Sequence, residues 1–128
     1  MPKISITQVE EYEIIEPLFA SMYREIQKLC KKKPDATLNQ TKVKMINALL
    51  NRIDIVLKNE KGTEFLYLLD DETLPQYSDA VLILSQYSTA LEQFHKKHYN
   101  NSYGSYYWDT QERDENGKEE YCDDLDDN

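Results

Sequence analysis

The chain contains three long segments in which apolar residues recur three or four positions apart, the period of one face of an α-helix. Thr7 and Glu10 have the spacing of a capping box, which predicts that the first helix begins at Thr7. Pro17 has no amide hydrogen and crowds the preceding turn, so we expect it to kink or split this helix near Glu16. The apolar positions of the first helix are Tyr12, Ile15, Leu18/Phe19, Met22/Tyr23, Ile26 and Leu29/Cys30.

A second segment has the same period. Its apolar positions are Leu38, Met45/Ile46, Leu49/Leu50, Ile53 and Val56/Leu57. The stretch 37–40 repeats the capping-box spacing, and Gly62 follows where a left-handed residue would end the helix. Because only a short interval separates Cys30 from Leu38, we predict that the first two helices form an antiparallel hairpin.

Pro75 suits the first turn of a third helix, which the pattern extends to about Tyr99. Its apolar positions are Tyr77, Ala80/Val81, Leu84, Tyr87/Ser88, Leu91 and Phe94/His95. Residues 64–70 are mostly apolar, and because no partner strand is visible we expect a short helical turn there rather than a buried strand. The predicted fold class is all-α, a small antiparallel up-down-up bundle of three main helices with the first kinked near Pro17, a short element at 64–70 and an acidic C-terminal tail.

The charge distribution divides the chain into a helical bundle over residues 1–100 and a Tyr/Trp-rich segment with an acidic tail over 101–128. From Asp109 to Asn128 ten acids and two bases supply −8 of the net charge of −9, whereas Arg24 to Lys61 carries +6. The acidic stretch has too little apolar content to bury a core, so we expect it to be flexible. A basic middle and an acidic end attract each other or two different partners.

Composition narrows the class of protein further. The two cysteines, Cys30 and Cys122, form neither a disulfide framework nor a metal-binding pair. No apolar run approaches the roughly 18 residues that span a bilayer, and the N-terminus lacks the apolar stretch of a secretory signal. We therefore expect a cytoplasmic protein that has no membrane contact and no cofactor. The net charge of −9 also opposes general nucleic-acid binding.

Candidate catalytic chemistry is confined to the two histidines. Glu92, His95 and His98 are one helical turn apart and would share a face. A carboxylate-bridged two-metal site in a bundle needs a second Glu-x-x-His pair, for which the chain has no histidine. Near a helix C-terminus the histidines are more simply favourable partners for the helix dipole. We therefore expect no metal and no enzyme activity, and keep a small helical enzyme using these three residues as an alternative.

Lysines cluster where the first hairpin would bring the end of one helix beside the start of the next. This predicted basic patch consists of Lys28, Lys31, Lys32, Lys33, Lys42 and Lys44. Such a patch would contact phosphates with salt-dependent affinity, or an acidic protein surface. Nucleic-acid binding through this hairpin, with the acidic tail as an autoinhibitor, is therefore a second functional hypothesis. A solvated helix end without a partner is the third interpretation.

Four tyrosines and the chain's only tryptophan lie between Tyr99 and Trp108. Tyrosine and tryptophan dominate interface hot spots, so this segment is predicted either to dock a partner or to cap the bundle. The predicted partner-binding residues are Tyr99, Tyr103, Tyr106, Tyr107, Trp108, Asp123, Asp124, Asp126 and Asp127. Our preferred function is a non-catalytic interaction module, an inhibitor, antitoxin-like partner or small regulatory subunit, that binds a basic protein surface through the aromatic patch and the acidic tail. Unburied parts of the apolar stripes would also suit a homodimer.

Overall fold

The computed structural model describes residues 4–102 and 105–111. The helices are α1 (Ile6–Lys32), α2 (Gln40–Val56) and α3 (Tyr77–His98), with a 3₁₀ turn (Thr63–Phe65) before α3; the strands are β1 (Tyr99–Ser102) and β2 (Ser105–Trp108). The described chain is mostly helical, as predicted, but it also contains a two-stranded antiparallel sheet that was not predicted. None of the described helices is both long and apolar enough to cross a bilayer.

Helix α1 begins two residues earlier than the sequence pattern suggested. The Ser5 hydroxyl oxygen accepts a hydrogen bond from the Gln8 amide at 3.1 Å, and the Ser5 amide donates to Gln8 Oε1 at 3.0 Å. These two bonds form a complete capping box with Ser5 as the N-cap. The predicted box at Thr7 and Glu10 is therefore wrong. Both stretches fit the same four-residue pattern, and the earlier one lets α1 extend by a further half turn.

Pro17 lies inside α1 without dividing it. The helix is continuous over 27 residues, so the predicted split near Glu16 does not occur. Buried apolar residues on both sides of the proline, among them Ile15 and Phe19, hold the two halves against the same core. Tertiary packing of this kind outweighs the loss of one main-chain hydrogen bond. The predicted kink concerns the direction of the helix axis and stays a prediction.

Helices α2 and α3 run parallel to each other. A β-bridge between Thr37 and Gln76 joins the two residues that precede their N-terminal ends. At their C-terminal ends, Lys97 Nζ lies 3.2 Å from Glu60 Oε1. The predicted up-down-up order is therefore wrong for the third helix, because a chain that alternated direction would place the start of α3 beside the end of α2.

Helix α1 runs antiparallel to both of its neighbours. Near its start, Gln8 Nε2 donates a hydrogen bond of 3.0 Å to the carbonyl oxygen of Val56, the last residue of α2. In the same part of α1, Tyr12 stacks on Phe94 near the end of α3, with ring centroids 5.3 Å apart. The predicted α1–α2 hairpin is thus present, and the helix order is up-down-down.

The connector 57–76 makes the parallel order possible by returning the chain to the start of α2. Asn47, in the middle of α2, fastens it: its Nδ2 donates to the Leu69 carbonyl oxygen at 2.8 Å, and its Oδ1 accepts from the Leu69 amide at 2.9 Å. The Leu69 side chain is buried. The helical turn predicted for 64–70 is only partly present, because the 3₁₀ turn ends at Phe65 and residues 66–70 have no regular secondary structure.

The core lies where the three helices meet, and the predicted apolar stripes supply most of it. Leu38, Val43, Leu50, Ile53, Ala80, Leu84 and Tyr87 are completely buried. The stripes were wider than the buried faces, however. Leu18 and Met45, which the periodicity placed on them, remain 52% and 66% exposed.

The two strands form a hairpin that continues directly from α3, with Tyr99 opposite Trp108 and Ser102 opposite Ser105. After β2, the Asp109 amide donates to the His98 carbonyl oxygen at 2.7 Å. The predicted domain boundary at residue 100 thus falls inside β1. The described part of the segment predicted to be flexible packs against the bundle, and residues 112–128 lie outside the described residues.

Candidate functional site

A groove of about 860 Å³ lies on the surface between α1, α3 and the hairpin. We call it the α1–α3 groove. Its aromatic lining consists of Tyr12, Phe19, Tyr23, His95, Tyr99 and Trp108. Its charged lining consists of Glu13, Glu16, Arg24 and Glu92. The groove therefore combines an aromatic wall with three carboxylates and one guanidinium.

Helical spacing on two antiparallel helices creates this lining. On α1 the groove residues from Tyr12 to Arg24 recur three or four positions apart, and on α3 those from Ser88 to His95 do the same, so each set lies on one face. The hairpin adds Tyr99 and Trp108, which are directly opposite each other in the β1–β2 register. Cross-strand neighbours on one face of a sheet come into side-chain contact. Sequence-distant residues thus meet in one place.

Trp108 is the centre of the aromatic wall. Its ring lies edge-on to those of Tyr12, His95 and Tyr99, with centroid distances of 5.2, 5.3 and 5.2 Å. Edge-to-face packing of this kind is the favoured geometry for aromatic pairs. The indole Nε1 donates a hydrogen bond to Glu13 Oε2 at 3.2 Å. The hairpin is therefore held against the helices by both ring packing and a polar contact.

The three carboxylates converge on the phenol of Tyr12. Burial is the largest cause that raises the pKa of Tyr12 to about 12, and the negative charges of Glu16, Glu13 and Glu92 raise it further. Two of these residues belong to α1 and one to α3, so the folded chain concentrates negative charge at one end of the groove. A cation entering there would meet carboxylate oxygens and aromatic rings together.

The other predicted aromatic residues differ in position. Tyr106 stacks almost parallel on Tyr99, with centroids 5.6 Å apart and an interplanar angle of 8°, and it is 64% exposed. It therefore extends the aromatic wall toward solvent. Tyr107 is half-buried. Tyr103, like the four tail aspartates Asp123, Asp124, Asp126 and Asp127, lies outside the described residues.

The residues of the enzyme hypothesis do not share one site. Glu92 and His95 line the α1–α3 groove. His98 is buried, and its Nε2 lies 2.9 Å from Glu60 Oε2, while Lys97 contacts the other oxygen of the same carboxylate. In the part of the chain that the structure describes, no group of three His, Cys, Asp or Glu residues is placed to hold a metal ion.

The predicted basic patch is spread over the opposite end of the bundle. Lys28 pairs with Glu25 on the same helix at 3.5 Å. Lys42 is half-buried: its Nζ donates to the Tyr77 hydroxyl at 2.9 Å and lies 5.6 Å from the centre of the same ring. The remaining members, Lys31, Lys32, Lys33 and Lys44, are exposed.

Sequence reasoning missed the α1 side of the groove. Tyr12 and Tyr23 were assigned only to the apolar stripe, and Glu13 and Glu16 were not singled out. The signal available was an aromatic residue flanked by acids at helical spacing, which by itself is typical of any solvated helix edge. Its significance depends on Trp108, which follows Glu13 by 95 positions.

Comparisons with protein-family models, with curated proteins and with solved structures find no match to this chain. The functional interpretation therefore depends on the α1–α3 groove itself. Its chemistry is that of an open, negatively charged, aromatic surface built from two helices and a hairpin.

Proposed function

We propose that this protein is a non-catalytic interaction module that binds a basic segment of a partner protein in the α1–α3 groove. The observation that carries the proposal is the convergence of Glu13, Glu16 and Glu92 on an aromatic wall built around Trp108. Arginine and lysine side chains pair with carboxylates and also stack on aromatic faces. The groove supplies both kinds of contact within one surface.

The shape of the groove favours a peptide segment over a small free cation. Its lining on α1 extends from Tyr12 to Arg24, which at about 1.5 Å per residue corresponds to about 18 Å. An extended peptide of about five residues has that length. Arg24 gives one end of the groove a positive charge, so a bound segment would have its basic residues near Glu13 and an acidic group near Arg24.

Two features outside the groove support the same role. Tyr106 presents an exposed aromatic ring next to Tyr99, where it would widen the contact with a partner. The tail acids Asp123, Asp124, Asp126 and Asp127 add negative charge that would accelerate association with a basic surface. The classes that fit are an inhibitor, an antitoxin-like partner or a small regulatory subunit; a cytoplasmic location and a homodimer stay predictions.

Trp108 allows a direct test, because the chain's only tryptophan lies in the groove. Titration with penta-arginine should change the fluorescence of Trp108 in a saturable manner. The double variant Glu16→Gln/Glu92→Gln removes two charges while leaving the aromatic wall intact, and should weaken binding at least tenfold, or by about 1.4 kcal/mol. Penta-glutamate should produce no saturable change.

The matched control is Glu25→Gln/Glu64→Gln, which removes the same charge from exposed positions outside the groove. This control should bind penta-arginine with nearly the wild-type affinity. Equal weakening in both double variants would show that only net charge matters, and the α1–α3 groove would then not be the binding site.

A further inference from the structure

A second groove, of about 740 Å³, lies between the connector and a different face of α3. We call it the connector groove. Its lining includes the apolar residues Leu57 and Phe94 and the basic residues Lys61, Lys96 and Lys97. The connector groove is thus opposite in charge to the α1–α3 groove, and no part of the proposed function uses it.

Two of its three lysines have no anionic partner among the described residues. Lys97 is paired with Glu60 at 3.2 Å. Lys61 and Lys96 are exposed, and no carboxylate of the described residues lies within ion-pair distance of either. The connector groove therefore presents uncompensated positive charge next to an apolar floor, which suits an acidic peptide segment that also carries apolar side chains.

We infer that the connector groove binds the acidic segment 112–128 of the same chain. The first argument is where the described chain stops. The Asp109 amide is bonded to the His98 carbonyl oxygen at 2.7 Å, and the His98 ring contacts Glu60, the residue before Lys61. The acidic segment therefore begins beside the groove.

The second argument is complementarity. Residues 112–128 contain nine acids and two bases, a net charge of −7. Tyr121 and Leu125 lie among these acids. The groove offers them the Phe65 ring, which is 65% exposed. A segment that is both acidic and sparsely apolar matches a groove with a basic rim and exposed apolar surface.

The third argument is distance, which favours this groove over the lysines 31–33. At about 3.3 Å per residue, segment 112–128 reaches about 55 Å when extended. The connector groove extends along α3 from Gln86 to Lys97, or about 17 Å, whereas lysines 31–33 lie a full α1 length away, about 40 Å. Closing the shorter loop costs less chain entropy, and charges separated by more than about 10 Å are screened by salt.

Paramagnetic relaxation measured by NMR tests this inference on the full chain. A nitroxide attached to Cys122 in a Cys30→Ala background should broaden the amide signals of residues 61–65 and 93–97, and the reduced nitroxide provides the reference. The double variant Lys61→Glu/Lys96→Glu should restore those signals. The matched variant Lys31→Glu/Lys32→Glu, at the far end of the bundle, should leave the broadening in place.

Three results would overturn the inference. Broadening centred on residues 31–33 would place the segment on the basic patch instead. Weak, uniform broadening over the whole surface would show that the segment has no preferred site. Broadening of isotope-labelled chains by unlabelled chains that carry the nitroxide would show that the groove takes the segment of a second copy rather than its own.

Discussion

At the residue scale, Tyr12 belongs to both the core and the α1–α3 groove. Its ring packs against Phe94 and Trp108, and only 9% of its surface is exposed. Its hydroxyl lies in the field of three carboxylates, which favour the neutral phenol. Because the raised pKa is caused by folding, it makes the stability of the fold depend on pH in the alkaline range.

The free energy of unfolding should fall as the pH rises from about 10 toward 12. The Tyr12 phenol ionises near pH 10 in the unfolded chain but only near 12 in the folded chain, so its contribution is fully present below pH 10 and is lost above it. Urea denaturation at pH 9, 10 and 11 measures the loss. Tyr12→Phe should reduce the slope of stability against pH.

Tyr67→Phe is the control for this prediction, because Tyr67 is 65% exposed and its change should leave the slope unaltered. If Tyr12→Phe and Tyr67→Phe gave the same slope as the wild type, the carboxylates would not act on the Tyr12 hydroxyl. The negative charge proposed for the groove would then have to be located elsewhere.

At the element scale, the connector shows how one side chain decides the course of an irregular segment. An asparagine in a helix interior is a weak helix former, so Asn47 carries a local cost within α2. Its amide replaces a neighbouring strand for Leu69 by satisfying both the main-chain donor and the main-chain acceptor of that residue. The segment therefore packs on α2 without belonging to a sheet.

Asn47→Ala should lower the free energy of unfolding by about 1–3 kcal/mol, because the main-chain groups of Leu69 lose their partners in a partly buried site. Asn51→Ala, one turn further along α2 at an exposed position, is the control and should have little effect. Urea denaturation measures both changes. Faster hydrogen exchange at the Leu69 amide in Asn47→Ala alone would confirm the local cause, and equal exchange in both variants would contradict it.

At the scale of the whole molecule, polar side chains join the parallel helices α2 and α3 at three levels. Lys42 contacts Tyr77 near the start, and Lys97 contacts Glu60 beyond the end. Between them, the hydroxyl of the buried Tyr87 donates to Asp54 Oδ1 at 3.0 Å. Burial raises the pKa of Asp54, which the Tyr87 hydrogen bond partly opposes, and the pKa of Tyr87 is raised by burial and by the same carboxylate.

Tyr87→Phe should destabilise the protein by about 1–3 kcal/mol, because the half-buried Asp54 carboxylate loses its donor while the ring still fills the core. Asp54→Asn provides the comparison. Its side-chain oxygen still accepts the bond and no charge needs to be buried, so its stability at pH 7 should be at least that of the wild type. Thermal or urea unfolding of the two variants measures the difference, and equal destabilisation of both would contradict this explanation.

Much of the α-helical structure was predictable from the sequence because it depends on neighbours within a few positions. The three apolar stripes predicted α1, α2 and α3 to within a few residues, and most of their positions are buried. The candidate site was less predictable. Tyr99 and Trp108 were predicted for partner binding and line the groove, whereas Glu92 and His95 were considered only for a metal or catalytic site.

The sequence by itself therefore determined the helices, the charge asymmetry and the presence of an aromatic segment, since each is a property of residues close together along the chain. Only the tertiary structure decided the direction of α3, the hairpin and the union of α1 with Trp108. A connector such as 57–76 is long enough for either direction of the next helix. The choice depends on contacts between distant residues, such as the Glu13 and Trp108 hydrogen bond, which no local pattern records.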